Sequence, residues 1–492
     1  MKAVRVLVLL LLVTALVPAY AVDKQPIREI TDFAVGTDPE IFASIVPTSG
    51  GGALLAGFTS SNTMGQMDAY LAEIDGNSEL LWESTYGDTL SEEFYQALPV
   101  AGGGYIAVGT SNSFGDKAYD QWIVRLDNNH EEIWSRSLGD DEFGVATQVV
   151  PDGEGGWYIG GFQNVVDEQR ASFWVARMDD NGEVIWNYIY GGPEHDFLTS
   201  MVSAPDGGVV VAGSTHSFTS ENRDGYIVKI DEDGTQVWQR VIGGPWPDYF
   251  NGIIRNADNQ YVLIGTTHRS ETSEESDMSV VLVNNDSEVL FQTAIGGDSW
   301  DEGWGIVQLP DEGYYCVGSS YNPDAGVMNG YGVRLDNNGD ILWFDTFGDN
   351  DGYQEFRGVM MWDADNSLVK AVGYTSSTDN GDADFHTRLI NYDETAVPSE
   401  SVVRAEKMEL SRAYPNPFNG ITKFNVSLPA SGHLEVAVYN LLGQEVRLLT
   451  SGRWAAGQHT FEWHADNVAS GTYVIQARTG SQTLRQRIML VK

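Results

Sequence analysis

Glycine returns every 52 residues through most of this chain. It stands at Gly87, Gly139, Gly191, Gly243, Gly296 and Gly348, with a single spacing of 53 among spacings of 52. A second series runs Gly57, Gly109, Gly161, Gly213, Gly265, Gly318 and Gly373. A third is a strand-like run that opens on an aromatic residue and ends in Asp or Asn: Tyr70 to Asp75, Trp122 to Asp127, Trp174 to Asp179 and Tyr226 to Asp231. It continues, weaker, at Val280 to Asn284, Tyr331 to Asp336 and Phe385 to Asn391. Aromatics follow at Trp82, Trp134, Trp186, Trp238, Phe291 and Trp343. Seven repeats in one register require an architecture in which like units pack side by side.

Each repeat reads as four short strands. In the fourth these are Phe197 to Val202, Val209 to Gly213, Tyr226 to Ile230 and Val237 to Ile242, bounded by Gly, Asp and Asn. No segment sustains a 3.6-residue apolar period, so helix is nearly absent. Four strands in about 50 residues is the arithmetic of a β-propeller blade. An open β-solenoid is the competing reading, but its coils use far fewer residues per turn. The expected fold is all-β, a seven-bladed propeller over residues 22–393. Only six repeats supply a fourth strand of their own. Residues 28–35 match the missing one and are expected to pair beside 384–391, which would remove an open sheet edge.

The third-to-fourth turns are acidic, as in Asp179-Asp180-Asn181-Gly182, Asp231-Glu232-Asp233-Gly234 and Asp336-Asn337-Asn338-Gly339. A type I turn with Gly in the left-handed position accounts for them. Calcium is the alternative, yet a calcium loop spreads its ligands over about 12 residues. No metal site, cofactor or catalytic motif is expected, and the eight His are scattered.

Composition narrows the function. The formal net charge is −42, which argues against nucleic acid because phosphate binding needs Lys and Arg surfaces. Lys2 and Arg5, the apolar run Val6 to Val17 and Ala19-Tyr20-Ala21 read as a signal peptide over 1–21, with a retained anchor as the alternative. No other run is long and apolar enough to span a bilayer, so no transmembrane segment is expected in the mature chain. The lone Cys316 lies in a strand-like apolar run and reads as a buried, inert thiol.

Over residues 28 to about 393 the repeats resemble those of secreted bacterial propellers, whose blades carry Gly-Gly, Asp-Gly-Gly-Tyr, Gly-x-Thr and Asp-x-Trp elements in this order. The arrangement of Asp, Gly and Trp around the hairpin is also similar to quinoprotein-like propellers, a likeness of fold that implies no quinone. The adjacent Cys pair of some quinoprotein enzymes is impossible with one Cys, and the offsets differ from sialidase boxes.

A second module follows a polar linker, 394–410. Residues 403–492 carry ten Lys+Arg and six Asp+Glu, whereas residues 22–402 carry 16 and 64. Its opening, Tyr414-Pro415-Asn416-Pro417-Phe418-Asn419, is followed by Ile421 to Pro429, Val436 to Val446 with Gly443, Ala456 to His459, Gly471-Thr472-Tyr473 and a basic end at Lys492. Along its length, 411–492, it is similar to the type A C-terminal sorting domain of the type IX (Por) secretion system. The resemblance implies a small Ig-like β-sandwich that engages the outer-membrane secretion machinery and directs folded cargo to the cell surface. In that family it is commonly cleaved as the cargo is attached to lipopolysaccharide. The residues that carry the motif here are Pro415, Asn416, Pro417, Phe418, Asn419, Gly443, Gly471 and Tyr473; Gly420 departs from it, since many relatives have a second Pro there. An adhesion or packing module without a sorting role is the alternative. The polar linker predicts that this module adds little to propeller stability.

A ligand site should break the repeat symmetry. On the face shared by the fourth-to-first and second-to-third loops, Trp246, Asp248 and Tyr249 enter blade five, and Trp300, Asp301 and Trp304 enter blade six. His268, Arg269 and Tyr321 lie on second-to-third loops nearby. Aromatics beside acids suit sugar stacking or peptide anchoring; the plainer reading is packing between blades. Two functions follow: a non-enzymatic surface scaffold that binds glycan or protein, or a secreted carbohydrate-active hydrolase or lyase using Asp248 and Asp301. The second needs two carboxyl groups flanking one bond.

Overall fold

The computed structural model describes residues 29–30 and 40–492 apart from 61–66, 77–78, 115–118, 139–142, 166–169, 219–221, 270–274, 298, 349–351, 378–382, 394–407, 429–431, 455–456, 466–467 and 480–481. The expected signal peptide, positions 31–35 of the closing strand, Gly139 and linker residues 394–407 lie outside the described residues. Every regular element described is a strand, and no helix there is long and apolar enough to cross a membrane.

Seven antiparallel four-stranded sheets make a propeller. Blade four is typical, with strands Asp196–Ser203, Val209–Thr215, Asp224–Ile230 and Gln236–Ile242 side by side in chain order. First strands are innermost. Each packs on the first strand of the next blade, and Gly352–Asp363 of blade seven returns to Glu40–Pro47 of blade one. Blade seven takes its fourth strand from the other end of the chain, where Glu29 pairs with Arg388 and Ile30 with Thr387.

The repeat residues have separable jobs. Every first strand carries a β-bulge at one position, leaving Ala43, Tyr95, Thr147, Thr199, Asn251, Trp304 and Arg357 as the extra residue. The bulge thrusts a carbonyl at the second strand. A Cβ on Gly109, Gly161, Gly213, Gly265, Gly318 or Gly373 would lie 1.7 to 1.9 Å from the carbonyl oxygen of Glu93, Val145, Phe197, Tyr249, Glu302 or Glu355 respectively. The second glycine series is thus imposed by the bulge.

The outer aromatics join neighbouring blades. The indole N–H of Trp134 donates to Asp180 O at 3.2 Å, Trp186 to Glu232 O at 2.9 Å and Trp238 to Asn285 O at 2.9 Å, each on the next blade's third-to-fourth turn. The rings lie over the left-handed residue of that turn, which is Gly182 under Trp134, Gly234 under Trp186 and Gly339 under Phe291. In those turns the first Asp accepts two backbone N–H groups, as Asp179 does from Asn181 and Glu183 and Asp231 from Asp233 and Thr235. Cys316 is buried among apolar side chains of blades five and six, where burial pushes its thiol up.

The terminal module is a sandwich of a three-stranded sheet (Glu409–Leu410, Ile421–Leu428, Gly457–His464) on a four-stranded one (Glu445–Trp454, Gly432–Asn440, Gly471–Thr479, Thr483–Leu490). It begins earlier than position 411, because Met408 is in its core and Glu409 and Leu410 pair with Ser427 and Val426. Pro415, Asn416, Pro417, Phe418 and Asn419 form a strap that fastens the last strand. Phe418 N donates to Met489 O at 2.9 Å, Val491 N to Phe418 O at 2.8 Å and Met489 N to Asn416 Oδ1 at 2.9 Å. Phe418 and Tyr473 pack on Trp463. Gly443 takes a positive φ of 77° in the turn capped by Asn440, and Gly471 opens the strand that carries Tyr473.

Candidate functional site at the propeller axis

Loop glycines of the first series close over buried acids. Asp248 Oδ2 accepts Gly244 N at 2.5 Å and Asp301 Oδ2 accepts Gly297 N at 3.0 Å, as Asp196 accepts Gly192 N at 2.9 Å and Glu92 accepts Asp88 N at 2.9 Å. A first-strand acid accepting the amide four residues back therefore recurs in four blades. Asp248 and Asp301 are buried, and each caps its loop. Three of these caps sit beside a third-strand carboxylate: Asp248 beside Asp224 under Gly243, Asp301 beside Asp277 under Gly296, and Glu92 beside Asp68 under Gly87.

Arg269 folds back onto the second pair, with Nε 3.4 Å from Asp277 Oδ2 and its guanidinium also bonded to Gly297 O. It is committed to that junction. Trp300, exposed at 41%, accepts a backbone bond from Tyr321 N at 2.8 Å, and Ser299 Oγ donates to Tyr321 O at 2.9 Å, so these two residues share one loop corner. Trp246 is half-buried in the loop capped by Asp248.

The repeat breaks at the axis. In blades three to five the bulge residues are small polar staples: Thr147 Oγ1 reaches Leu198 O, Thr199 Oγ1 donates to Phe250 O at 2.7 Å and Asn251 Nδ2 to Gly303 O at 2.8 Å. Blades six and seven replace them with Trp304 and Arg357, the Arg357 guanidinium lying 3.5 Å from the Trp304 ring centroid. Arg357 Nε is 2.7 Å from Glu355 Oε1, and Tyr374 donates to Glu355 Oε2 at 2.5 Å. Tyr249 donates to Glu302 Oε1 at 2.8 Å and lies under Arg223, 4.1 Å from ring centroid to guanidinium. His268 stands 6.1 Å from Tyr249 and shares a 2.8 Å bond between Nδ1 and Pro247 O.

Burial raises Glu355's pKa; Arg357 and the Tyr374 hydrogen bond oppose this, and the Glu302 charge adds to it. Burial lowers His268, favouring the neutral ring. Of the residues singled out from sequence, Tyr249, His268 and Trp304 belong to this cluster. Arg223, Glu302, Glu355, Arg357 and Tyr374 were missed. Laying the first strands in register on the second glycine series would have found Arg357, because the bulge then reads Ala43, Tyr95, Thr147, Thr199, Asn251, Trp304, Arg357, with Glu302 and Glu355 two residues before it in the last two blades. The same face carries an aromatic run through blades two to four, from Tyr119 to Phe143 (5.9 Å), Phe162 (6.2 Å) and Phe197 (5.3 Å), ending at His195 (5.8 Å).

Fold and terminal module together define the class: a seven-bladed propeller with a small β-sandwich behind it. Residues 412–492 match the family described as secretion system C-terminal sorting domain, so the sandwich is a type IX sorting module and addresses this chain to the cell surface or the medium. No curated protein matches the chain significantly in sequence. Among solved structures it is similar, at 14% identity and a TM-score of 0.43, to PorZ, a surface component of the type-IX secretion system of Porphyromonas gingivalis; the match covers 94% of this chain and 60% of that one. It is also similar to the β-propeller domain of the Trilobed protease from Pyrococcus furiosus, described as having an open velcro topology, at 12% identity and TM-score 0.41, covering 74% of this chain and 99% of that one.

Proposed function

We propose that the propeller is a non-enzymatic recognition scaffold for glycan or protein at the cell surface, exported through a signal peptide at 1–21 and the terminal sorting domain, and that it takes its ligand at the axial face of blades five to seven. The observation that carries this reading is the replacement of Thr147-type staples by the Trp304–Arg357–Glu355–Tyr374 cluster beside Tyr249 and Glu302. Rings paired with fixed polar groups stack on sugar faces or hold peptide side chains while orienting them through hydrogen bonds.

A secreted hydrolase or lyase is a second reading, and it now rests on Glu302 and Glu355 instead of Asp248 and Asp301. A carboxyl group whose pKa burial raises, beside another carboxylate, is the pairing that glycosidic acid chemistry uses. The tyrosine and arginine partners of these two acids favour binding. The test is a glycan array and a peptide library screened with the full chain and with Trp304→Ala and Arg357→Ala. Binding lost in both variants supports the scaffold. Turnover of a bound glycan that Glu302→Gln and Glu355→Gln abolish would establish the enzyme, and ligand capture indifferent to Trp304 and Arg357 would remove the axial site.

A further inference from the structure

The sorting module rests against the propeller through a buried charge contact. Lys423, on Ile421–Leu428, inserts its ammonium beside Asp224 of blade four, the two side chains being 7% and 0% exposed. Asp224 lies beside Asp248, so one cation from the module serves the blade-four/five carboxylate pair. At the next junction the propeller's own Arg269 does this for Asp277 and Asp301.

The other charges around Lys423 are set out by element. Glu462 of the module lies 3.8 Å from its ammonium. Arg240, on blade four's outer strand, feels both Glu462 and Glu288 of blade five's hairpin. Burial works against the Lys423 ammonium, but Asp224 and Glu462 outweigh it and its pKa is raised. Apolar packing accompanies the charge: Val289 on blade five's outer strand touches the sandwich core, and Val289–Ile295 packs on Gly457–His464 and Glu445–Trp454. The module is thus packed against the propeller as well as joined to it through the linker.

We propose that this surface of blades four and five is a docking site for the chain's own sorting module, strong enough to hold it after the connecting segment is cut. Proteolysis within 394–407 would then leave a two-piece complex, and separation would require Lys423 to leave Asp224. A buried pair broken on one side leaves an uncompensated charge, which weakens association far more than loss of a surface pair does.

The experiment uses the full chain with a site-specific protease sequence inserted after Ser399, cut and then run on gel filtration at micromolar concentration. The two pieces of the otherwise native chain are expected to co-elute. Lys423→Met and, separately, Asp224→Asn are expected to weaken the complex on the order of 100-fold, so that the pieces separate. The pair Lys423→Met with Asp224→Asn removes both charges and is expected to recover co-elution in part. Native pieces that separate at once would overturn the proposal. So would single variants that co-elute as well as the native chain, since the Asp224 change leaves the module's own sequence intact.

Discussion

Gly213 faces the carbonyl oxygen of Phe197 so closely that a Cβ would lie 1.9 Å from it. The bulge at Thr199 drives that oxygen across the sheet, and the strand that carries Gly213 is buried along its whole length. Gly213→Ala should therefore destabilise the propeller by about 3 kcal/mol. Gly297, where nothing lies within 4 Å of the added carbon, is the control, and Gly297→Ala should change stability by less than about 0.5 kcal/mol. Urea unfolding of the two variants checks both, and equal effects would show that the bulge is not the cause.

Glu312 occupies the left-handed region, φ 68°, in the turn where its N–H donates to Leu309 O at 3.0 Å. Blades two to four place Gly103, Gly155 and Gly207 in positive φ at the corresponding turn. Glu312→Gly should stabilise by about 0.5–1 kcal/mol, the relief of a strained backbone less the freedom glycine adds to the unfolded chain. A lower thermal midpoint would contradict this.

The three repeat series carry the fold legibly because each marks a close approach that recurs in every blade. Glycine is needed wherever the bulge carbonyl or a capping acid fills the place of a side chain, and the outer Trp wherever a neighbouring turn offers a carbonyl. The site is less legible for the same reason. Asp248 and Asp301 look like symmetry-breaking acids, yet Glu92 and Asp196 do the same capping elsewhere with a different neighbour in sequence. Arg357 and Glu355 are ordinary charges until the bulge places them against Trp304. Lys423 is invisible at long range, since its partner Asp224 lies 199 positions away.

Asp248 predicts a pH dependence. Burial first, and then the charge of Asp224, raise its folded pKa above the unfolded value of about 3.9. Folding therefore takes up a proton in the window between the two. The stability this contributes is present at the acid end and lost as pH rises through the folded value. Asp248→Asn keeps an oxygen for Gly244 N without the charge. It should stabilise the chain by about 2 kcal/mol at pH 8 and by little at pH 4. Midpoints of urea unfolding at the two pH values decide it; a gain independent of pH would clear Asp248 of the cost.

Arg357 ties the axial cluster together, stacking on Trp304 and pairing with Glu355. In Arg357→Met, Glu355 loses the partner that opposes its burial, so its pKa should rise further. Ligand binding should then gain a dependence on pH through the protonation of Glu355, where the native chain shows less. The comparison is ligand affinity against pH for both proteins, and parallel profiles would place the ligand elsewhere.

Export and stability can be separated through Asp224. A chain stopped at Glu400 lacks the sorting domain matched at 412–492 and should remain inside the outer membrane, whereas the full chain reaches the surface or the medium. Truncation also removes Lys423, leaving Asp224 and Asp248 adjacent without its charge, so the truncated propeller should melt below the full chain. Introducing Asp224→Asn into the truncated chain removes one of the two charges and should restore much of that loss. It should not restore export, because the address lies in the missing module. Surface labelling and thermal melting of the three proteins read the two effects independently. Export recovered along with stability would mean that truncation blocks transport only by unfolding the cargo, and the module would lose its role as the address.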